Sequence, residues 1–522
     1  GMGVTNTNRA GNFMVDHSVF RRSTVADLAI GNTSYFSFRY NYSIGSKHFF
    51  TAAGPTGARA NLTLQGNVIV DSTDTPILSS NPGPLFLIDN IIRTTVTPQV
   101  RLGGLAPGMV LSLGNTFTSA TPYGIDTQYN ALRAIGNQIV TVSSLNLAEP
   151  TLPGTAPNLH RTIFEVPVGS DGAAIQQQIN QAAASGQDEP VVHLPAGNYS
   201  VPQTITIPAN TNVRLIGDGS NNTFLGWAGG SGGTVLHLQG PSHAILQDFG
   251  IGAQGNATGI LVDNADQSGG QVFGDQVNMS NMQRNTLGSL FTDGLDQTVV
   301  QLRSLYHNDN ALSDSVKVVG GPQAAAGTPG SGYVGIFDGA SSNNKNSYNV
   351  QNGGNLLTQD IWYESGNPGF LSLNGSGTFT LQGTNIAPAT PAGSPSIDIN
   401  NFNGKVSLLT AQINGVTQVR GNGANTSVLF AGDAFTEASN YLSVQSTQAR
   451  VGLYANSANR SDEVVPDQSI DDAYLTTMLA QTRNQQLQAL SAPARGITGV
   501  QLYRISVSNT MCGIHIQAGS GN

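Results

Sequence analysis

The stretch "VVHLPAGNYSVPQTITIPANTNVRLIGDG" (residues 191–219) contains three short apolar runs, each interrupted by Pro, Gly or Asn. Directly before it, "SDGAAIQQQINQAAASGQ" (residues 170–187) has the apolar spacing of one amphipathic helix. Ser170 or Asp171 can cap this helix, and Gly186 can end it. A short helix ahead of many short strands can cover the open end of a stacked apolar core. We therefore expect a β-solenoid to begin here, in the middle of the chain.

An internal repeat in the first third of the chain indicates another solenoid. Two or three apolar positions surround a small residue and an Asn, at successive spacings of 26, 23, 25 and 22 residues. The Asn residues of this pattern are Asn41, Asn67, Asn90, Asn115 and Asn137. "VDHSVF" places His17 in the same frame. Asn suits a corner because it tolerates left-handed backbone geometry.

A period of this length with no helix between the strands predicts an all-β protein built as a parallel β-solenoid. Each turn of chain would form one coil of about three strands, and coils would stack roughly 4.8 Å apart. The alternative is a β-sandwich, which calls for hairpin turns such as Asn-Gly every 8–12 residues or so. The chain lacks that rhythm.

The pattern divides the chain into four parts. Residues 1–145 are predicted to form a first β-helix segment, and the Pro-rich residues 146–168 a linker. Residues 169–440 would form a second β-helix with its N-terminal capping helix. Residues 441–522 contain a helical pattern, with Ser469 as its expected cap, and two strand-like runs that would cap or pack on the solenoids.

The composition narrows the class of partner. Only 10% of the residues are charged, the net charge is −9, and no Lys/Arg cluster occurs, so we expect no nucleic-acid partner. The sequence contains no apolar run of about 18 residues, so it predicts no membrane-spanning helix. The single Cys512 excludes an intrachain disulfide and a Cys-based zinc site, and we expect no cofactor. We expect a bacterial secreted or periplasmic protein, and Gly1 ahead of Met2 suggests that a leader has been removed.

Residues 170–219 resemble the entry segment of the pectate-lyase superfamily. The shared patterns are D-x-x-A-I-Q-x-x-I, V-x-L-P-A-G-x-Y and G-D-G. The resemblance implies a right-handed parallel β-helix but no single chemistry, because pectin lyases, galacturonases, alginate-active enzymes, glucanases and phage tailspikes share the fold. Two solenoids in one chain are similar to tandem β-helix exo-β-1,3-glucanases of the laminarinase type, whose substrate lies between the halves. The N-T-D, G-H-G and R-I-K motifs of galacturonases are absent.

The run "TQDIWYES" (residues 358–365) is the most suggestive for chemistry. In an extended strand Asp360, Trp362 and Glu364 share one face, while Ile361 and Tyr363 share the other. Carboxyl groups can supply the acid and base of glycoside cleavage, and an aromatic face can stack on a sugar ring. The two carboxyl groups would be about 13 Å apart, so a catalytic partner must come from an adjacent coil or from the other solenoid.

We expect Glu364 to be the general acid. Asp338, about one coil away, or Asp309, about two coils away, would activate a water, and His307 would lie nearby to bind substrate. Trp227, ahead of a Gly-rich loop, is a second candidate sugar platform.

Each of these residues has a simpler structural interpretation. Trp362, Tyr363 and Trp227 can be packing residues, and Asp360 can be a turn cap. The sequence therefore predicts a secreted polysaccharide-active enzyme, a glycoside hydrolase acting on a β-glucan or similar glycan. A polysaccharide lyase and a non-catalytic glycan-binding, adhesin or tailspike-like protein remain alternatives.

Overall fold

In a computed structural model the chain forms two stacks of parallel β-strands that lie side by side. The structure describes residues 2–4, 12–31, 35–53, 61–81, 83–103, 109–125, 131–150, 160–280, 287–304, 306–308, 314–328, 330–342, 346–365, 371–388, 395–421, 425–435, 442–458, 463–464 and 469–491. Within these ranges the one antiparallel pairing joins Ser457–Ala458 to Glu463–Val464.

The first solenoid has three sheets of six strands, and each coil contributes one strand to each sheet. The first sheet contains Met2–Val4, Leu28–Ile30, Phe50–Ala52, Ile77–Ser79, Val100–Leu102 and Tyr123–Ile125. The second contains Asn12–Asp16, Tyr35–Arg39, Asn61–Gln65, Leu85–Ile88, Met109–Leu113 and Ala131–Ile135. The third contains Val19–Arg21, Tyr42–Ile44, Val68–Val70, Ile91–Arg93, Thr116–Phe117 and Gln138–Ile139.

The second solenoid is longer, and two of its faces join into one 24-stranded sheet. The separate face contains Ile205–Ile207, Gly233–Gln239, Ala257–Asp263, Leu287–Leu295, Asp314–Gly320 and Asn346–Gln351. The joined faces contain Ile163–Glu165, Val191–Leu194, Gly197–Val201, Arg214–Gly217, Thr223–Trp227, His243–Gly252, Gln271–Ser280, Val299–Arg303, Tyr306–Asn308, Tyr333–Phe337, Ala340–Ser342, Gly354–Gln359, Trp362–Ser365, Leu371–Gln382, Asn385–Pro388, Pro395–Leu409, Gln412–Ile413, Val416–Arg420, Ser427–Ala431, Ala434–Phe435, Leu442–Val444, Arg450–Tyr454, Ser457–Ala458 and Glu463–Val464.

These ladders confirm the predicted right-handed parallel β-helix and exclude the sandwich, because strands pair with the next coil and not with a hairpin neighbour. The second solenoid begins with Ile163–Glu165, and its parallel ladder continues past residue 440 through Leu442–Val444 and Arg450–Tyr454. Each solenoid contains its own core of buried aliphatic and aromatic side chains. The four-part division of the chain stays a prediction.

The predicted lid is helix α1 (Gly172–Ala184). The Asp171 carboxylate caps it by accepting hydrogen bonds from the backbone N–H groups of Ala173 and Ala174 at 3.0 and 3.2 Å. Ile175 and Ile179 are buried in the second core. The helix therefore covers the first coils of the second solenoid. A short α2 (Pro322–Ala325) and a 3₁₀ turn (Val142–Ser144) are the other small helical elements described.

The repeated Asn residues form a buried ladder through the first solenoid. The side-chain amide of Asn41 donates to Asn67 Oδ1 at 3.1 Å, Asn67 to Asn90 at 2.9 Å, Asn90 to Asn115 at 2.9 Å, and Asn115 to Asn137 at 3.1 Å. Each amide also donates to a backbone carbonyl, as Asn90 does to Leu64 at 2.8 Å. The ladder thus satisfies corner backbone groups that water cannot reach.

Two details of this repeat differ from the sequence-based expectation. The left-handed backbone belongs to the residue before each Asn, for example Tyr40 (φ 56°) and Asp89 (φ 53°), because the Asn needs an extended backbone to aim its amide along the stack. His17 has the left-handed backbone of the residue before the Asn position (φ 45°). The next residue, Ser18, donates its backbone N–H to Asn41 Oδ1 at 3.0 Å. The frame therefore begins at Ser18 and not at His17.

Helix α3 (Asp472–Ser491) lies in the seam between the solenoids. The cap is Asp471, whose carboxylate accepts from the Tyr474 N–H at 2.7 Å, and not Ser469 as predicted. The apolar cluster of the seam contains Phe86, Ile88, Leu111 and Leu113 from the first solenoid, Leu409, Leu429, Ala431, Tyr454 and Ala455 from the second, and Tyr474, Leu475, Met478 and Leu479 from the helix. The helix therefore joins the two stacks, and the strand-like runs expected after it lie outside the described residues.

We predict that Asn90→Ala lowers the free energy of unfolding by about 3 kcal/mol, because it leaves several buried groups of the neighbouring coils without partners. Denaturant unfolding followed by circular dichroism measures this loss. Asn198→Ala, at an exposed strand position, is the matched control and should change stability by less than about 0.5 kcal/mol. Equal effects of both substitutions would contradict a stabilising role for the ladder.

Candidate functional site

A tight corner of the second solenoid presents polar residues from consecutive coils. At this corner one residue per coil has a left-handed backbone, and the five relevant here are Asp248, Gln276, Ser304, Asp338 and Asp360, with φ between 49° and 59°. The residue just before each corner also points outward, and this row contains Gln247, Asp275, Arg303, Phe337 and Gln359. We call Asp248, Asp275, Arg303, Ser304 and Asp338 the corner track.

Two carboxyl groups of the track, in adjacent coils, hold their protons more tightly than usual. Burial raises the pKa of Asp248, and the neighbouring Asp275 raises it further. Burial also raises the pKa of Asp275, although a hydrogen bond with Ser304 and the charge of Arg303 oppose this effect. Partly buried acids with raised pKa values are candidates for proton donors, because they stay protonated where ordinary carboxyl groups ionise.

Arg303 connects the acids of the track. Its guanidinium lies 3.7 Å from the Asp338 carboxylate and 4.9 Å above the Phe337 ring. The Asp338 side chain is 24% exposed, so solvent or a ligand can reach it. Asp275 and Asp338 stand two coils apart, roughly 10 Å by strand spacing. The track therefore places a carboxyl group with a raised pKa and a cation-paired carboxyl group along one edge.

Asp360, predicted as catalytic, occupies the corner position next to Asp338 but is buried in the seam. The Arg39 guanidinium of the first solenoid donates to its carboxylate at 3.0 Å, and Gln359 donates at 3.1 Å. Burial raises the pKa of Asp360 while Arg39 opposes this, and Asp16 lies close enough to contribute. These contacts give Asp360 a structural position between the solenoids, and its catalytic role stays a prediction.

Trp362 and Glu364 follow this corner in the strand Trp362–Ser365. Trp362 is 42% exposed, which is compatible with its predicted role as a sugar platform. The backbone of Glu364 pairs with Ser342 in one neighbouring coil and Ala387 in the other. Its side chain, like the whole of Asp309, lies outside the described residues. Tyr363 is fully buried, as the alternation requires.

His307 and Trp227 are placed differently from the sequence-based expectation. His307 is fully buried inside the solenoid, where its Nδ1 and Ser315 Oγ share a hydrogen bond of 2.5 Å, and burial lowers its pKa to about 3. Trp227 is 6% exposed and donates from Nε1 to the Gly230 carbonyl at 3.0 Å. Both side chains pack in the interior, and neither is accessible from the surface. Their predicted roles in substrate binding stay predictions.

Sequence reasoning missed Asp248, Asp275 and Arg303. They occur in the runs "LQDFG", "FGDQV" and "LRSLY", which repeat at 28-residue intervals in the corner frame. A charged residue at the corner or directly before it in consecutive coils was the signal that could have identified them.

A separate titratable cluster lies at the N-terminal end of the second solenoid. His193 contacts Glu165 through Nδ1 at 2.7 Å and Asp218 through Nε2 at 3.0 Å. Burial alone would lower the pKa of His193, but the hydrogen bonds with the two carboxylates outweigh it and raise the pKa. Both ring nitrogens are occupied, so this histidine bridges coils and is not arranged as a free base.

The described parts of the chain contain no group of three or more His, Cys, Asp or Glu side chains arranged to hold a metal ion. Among the described helices, none is long and apolar enough to cross a membrane.

Comparison with solved structures finds distant likenesses. An endo-xylogalacturonan hydrolase from Aspergillus tubingensis is 12% identical over 57% of this chain and 92% of its own, with a TM-score of 0.38. The A-module of a mannuronan C-5 epimerase from Azotobacter vinelandii is 14% identical over 56% and 92%, with a TM-score of 0.33. A PL6-family alginate lyase is 11% identical over 88% and 79%, with a TM-score of 0.30.

These likenesses are too distant to support an argument about chemistry, and the fold assignment rests on the strand ladders. The predicted similarity to laminarinase-type glucanases stays a prediction. No protein-family model and no curated protein matches the chain.

We predict that Asp360→Asn lowers the free energy of unfolding by about 3–5 kcal/mol, because it leaves the buried Arg39 without its counter-charge. The double variant Arg39→Met/Asp360→Leu should recover part of that loss, since neither partner of the ion pair remains. Thermal unfolding of the parent, single and double variants measures both effects. A single variant as stable as the parent would contradict the inferred ion pair.

Proposed function

We propose that this chain is a glycoside hydrolase that cleaves a polysaccharide, a β-glucan or a similar glycan, along the corner track. The observation that carries the proposal is the pair of partly buried acids, Asp248 and Asp275, with raised pKa values in adjacent coils. Glycoside cleavage needs a carboxyl group that stays protonated until it meets the leaving oxygen, and burial supplies that property.

Asp275 is the general acid in this proposal. Its carboxyl group would protonate the glycosidic oxygen as the bond to the anomeric carbon breaks. Asp248 stands one coil away, and the charge of Asp275 adds to burial in raising the pKa of Asp248. The hydrogen bond between Asp275 and Ser304 orients the carboxyl group.

Asp338 is the general base, and it would take a proton from the water that attacks the anomeric carbon. Arg303 lies beside it and favours its charged form. The separation of roughly 10 Å between the backbone positions of Asp275 and Asp338 is near the upper end of the roughly 6.5–9.5 Å that inverting enzymes use between carboxyl groups. The proposal therefore includes inversion at the anomeric carbon.

An extracellular or periplasmic location would suit this activity, because polysaccharide substrates occur outside the cytoplasm. The two alternative functions differ in their products. A lyase releases an unsaturated sugar, and a non-catalytic binding protein releases no sugar. Reducing-end release without ultraviolet absorbance of an unsaturated product distinguishes the hydrolase from both.

We predict that Asp275→Asn reduces reducing-end release by about a hundredfold or more, because an amide cannot donate the proton. The same substitution should raise the melting temperature by a few degrees at alkaline pH and have little effect at acidic pH. A carboxyl group whose pKa is raised by folding ionises first in the unfolded state, so its contribution to stability falls as pH rises. Activity assays and thermal unfolding across pH measure the two effects.

Val168→Ala is the control, since Val168 is exposed and precedes α1 at the N-terminal end of the second solenoid. Full activity of Asp275→Asn would remove Asp275 from the mechanism. Loss of activity together with a lower melting temperature at all pH values would indicate a packing role instead.

Glu364, the general acid expected from the sequence, is tested in the same assay. The two schemes differ in outcome: Glu364→Gln should lower activity by less than about tenfold if Asp275 donates the proton, and by a hundredfold or more if Glu364 does. The strand content of both variants, from circular dichroism, must match that of the parent. Equal hundredfold losses in both variants would contradict a single general acid.

A further inference from the structure

A row of outward-facing residues runs along the face of the second solenoid next to the corner track. Consecutive coils pair these residues in register, and the row contains Phe224, Gly250, Asn278, Tyr306, Ala340 and Trp362. We call it the aromatic row. Tyr306 is 41% exposed and Trp362 42%, and they are the two aromatic members among the exposed large hydrophobic side chains of the described residues.

Ala340 separates the two exposed aromatic residues. The strand spacing puts Tyr306 and Trp362 two coils apart, roughly 10 Å. The Tyr306 hydroxyl lies 3.4 Å from Ser342 Oγ, so its ring extends toward the coil that holds Ala340. Ala340 therefore lies between two larger aromatic side chains in the row, and we call its position the trough.

Phe224 shows the contrasting arrangement in the same row. Its ring lies over Gly250 and Gly252, where any added Cβ would meet it. The glycines therefore let this aromatic side chain pack down on the sheet, whereas Tyr306 and Trp362 remain accessible.

The described side chains on one side of the trough are uncharged, and the other side carries the carboxylate of Asp338. Asn278 and Ser280 lie in the preceding coil, and Ser342 lies beside Ala340. On the opposite side Asp338 precedes Ala340 by two residues, so a ligand in the trough would lie next to the corner track. Hydroxyl and amide groups suit a ligand rich in hydroxyls. The corner track has three acids, Asp248, Asp275 and Asp338, against one cation, Arg303, and this excess of acids disfavours an anionic ligand.

We propose that Tyr306 and Trp362 bind an extended, uncharged glycan that runs parallel to the solenoid axis. An aromatic face attracts the C–H groups of a pyranose ring, and rings two coils apart can stack on alternate sugars of such a chain. The sugar over Ala340 then lies beside Asp338. This inference rests on the proposed function and deepens it, because it names a neutral glycan as the substrate class and excludes a polyuronate.

Binding tests the inference without requiring cleavage. Affinity gel electrophoresis is run with the parent and with Tyr306→Ala and Trp362→Ala, in gels that contain neutral β-glucan, xylan or mannan, or polygalacturonate, or alginate. We expect the parent to be retarded by at least one neutral glycan and not by the polyuronates. Each alanine variant should lose about tenfold in affinity for that glycan.

Two controls separate stacking from folding. Trp362→Phe keeps an aromatic face and should retain most of the affinity, and Val168→Ala changes an exposed apolar residue elsewhere and should retain all of it. Thermal unfolding of each variant shows whether the fold is intact.

Unchanged affinity of both alanine variants, no retardation of the parent by any neutral glycan, or preferential binding of a polyuronate would each overturn the inference. Neutral-glycan binding that depends on Tyr306 and Trp362 without any product release would support the inference and refute the proposed hydrolase. The two proposals therefore fail separately.

Discussion

Backbone hydrogen bonding between parallel strands of successive coils is the interaction on which the rest of the structure depends. It fixes one rung spacing for both solenoids, so residues some two dozen positions apart in sequence become direct neighbours. The Asn ladder of the first solenoid, the corner track and the aromatic row all follow from this spacing. Each is one position of the coil, repeated and aligned.

The same regularity explains how a chain with only 10% charged residues can build a site. A single acid at a corner would be a solvated surface group, whereas acids in adjacent coils are held at the rung spacing, and there the charge of Asp275 raises the pKa of Asp248. Burial against the neighbouring rungs adds to this effect at Asp248 and Asp275. The fold thus supplies both the alignment and the low-dielectric surroundings that proton-transfer chemistry uses.

The sequence was sufficient to predict features that depend on local pattern. The lid helix, the two solenoids and the repeated Asn positions are each visible in local sequence, and the structure confirms them. Of the two cap candidates, Ser170 and Asp171, the structure has Asp171. It was insufficient where coil length varies. The corner residues Ser304, Asp338 and Asp360 are 34 and 22 residues apart, because a long excursion containing α2 precedes Asp338.

Contacts between the solenoids could not be predicted from any repeat. Arg39 and Asp360 are 321 residues apart, and the sequence around neither residue predicts that they form an ion pair. Strand alternation places Asp360, Trp362 and Glu364 on one face. It could not indicate that the seam buries Asp360 and leaves Trp362 exposed, because this difference depends on contact with the first solenoid. Asp360 is buried, whereas Asp338, its neighbour in the corner track, is 24% exposed.

The most direct measurement is a crystal structure of Asp275→Asn soaked with an oligosaccharide from the glycan that the parent cleaves. The account predicts sugar rings over Ala340 between Tyr306 and Trp362, with the Asp338 carboxylate beside the sugar. A saccharide bound on the separate six-stranded face of the second solenoid, with the corner track empty, would contradict it.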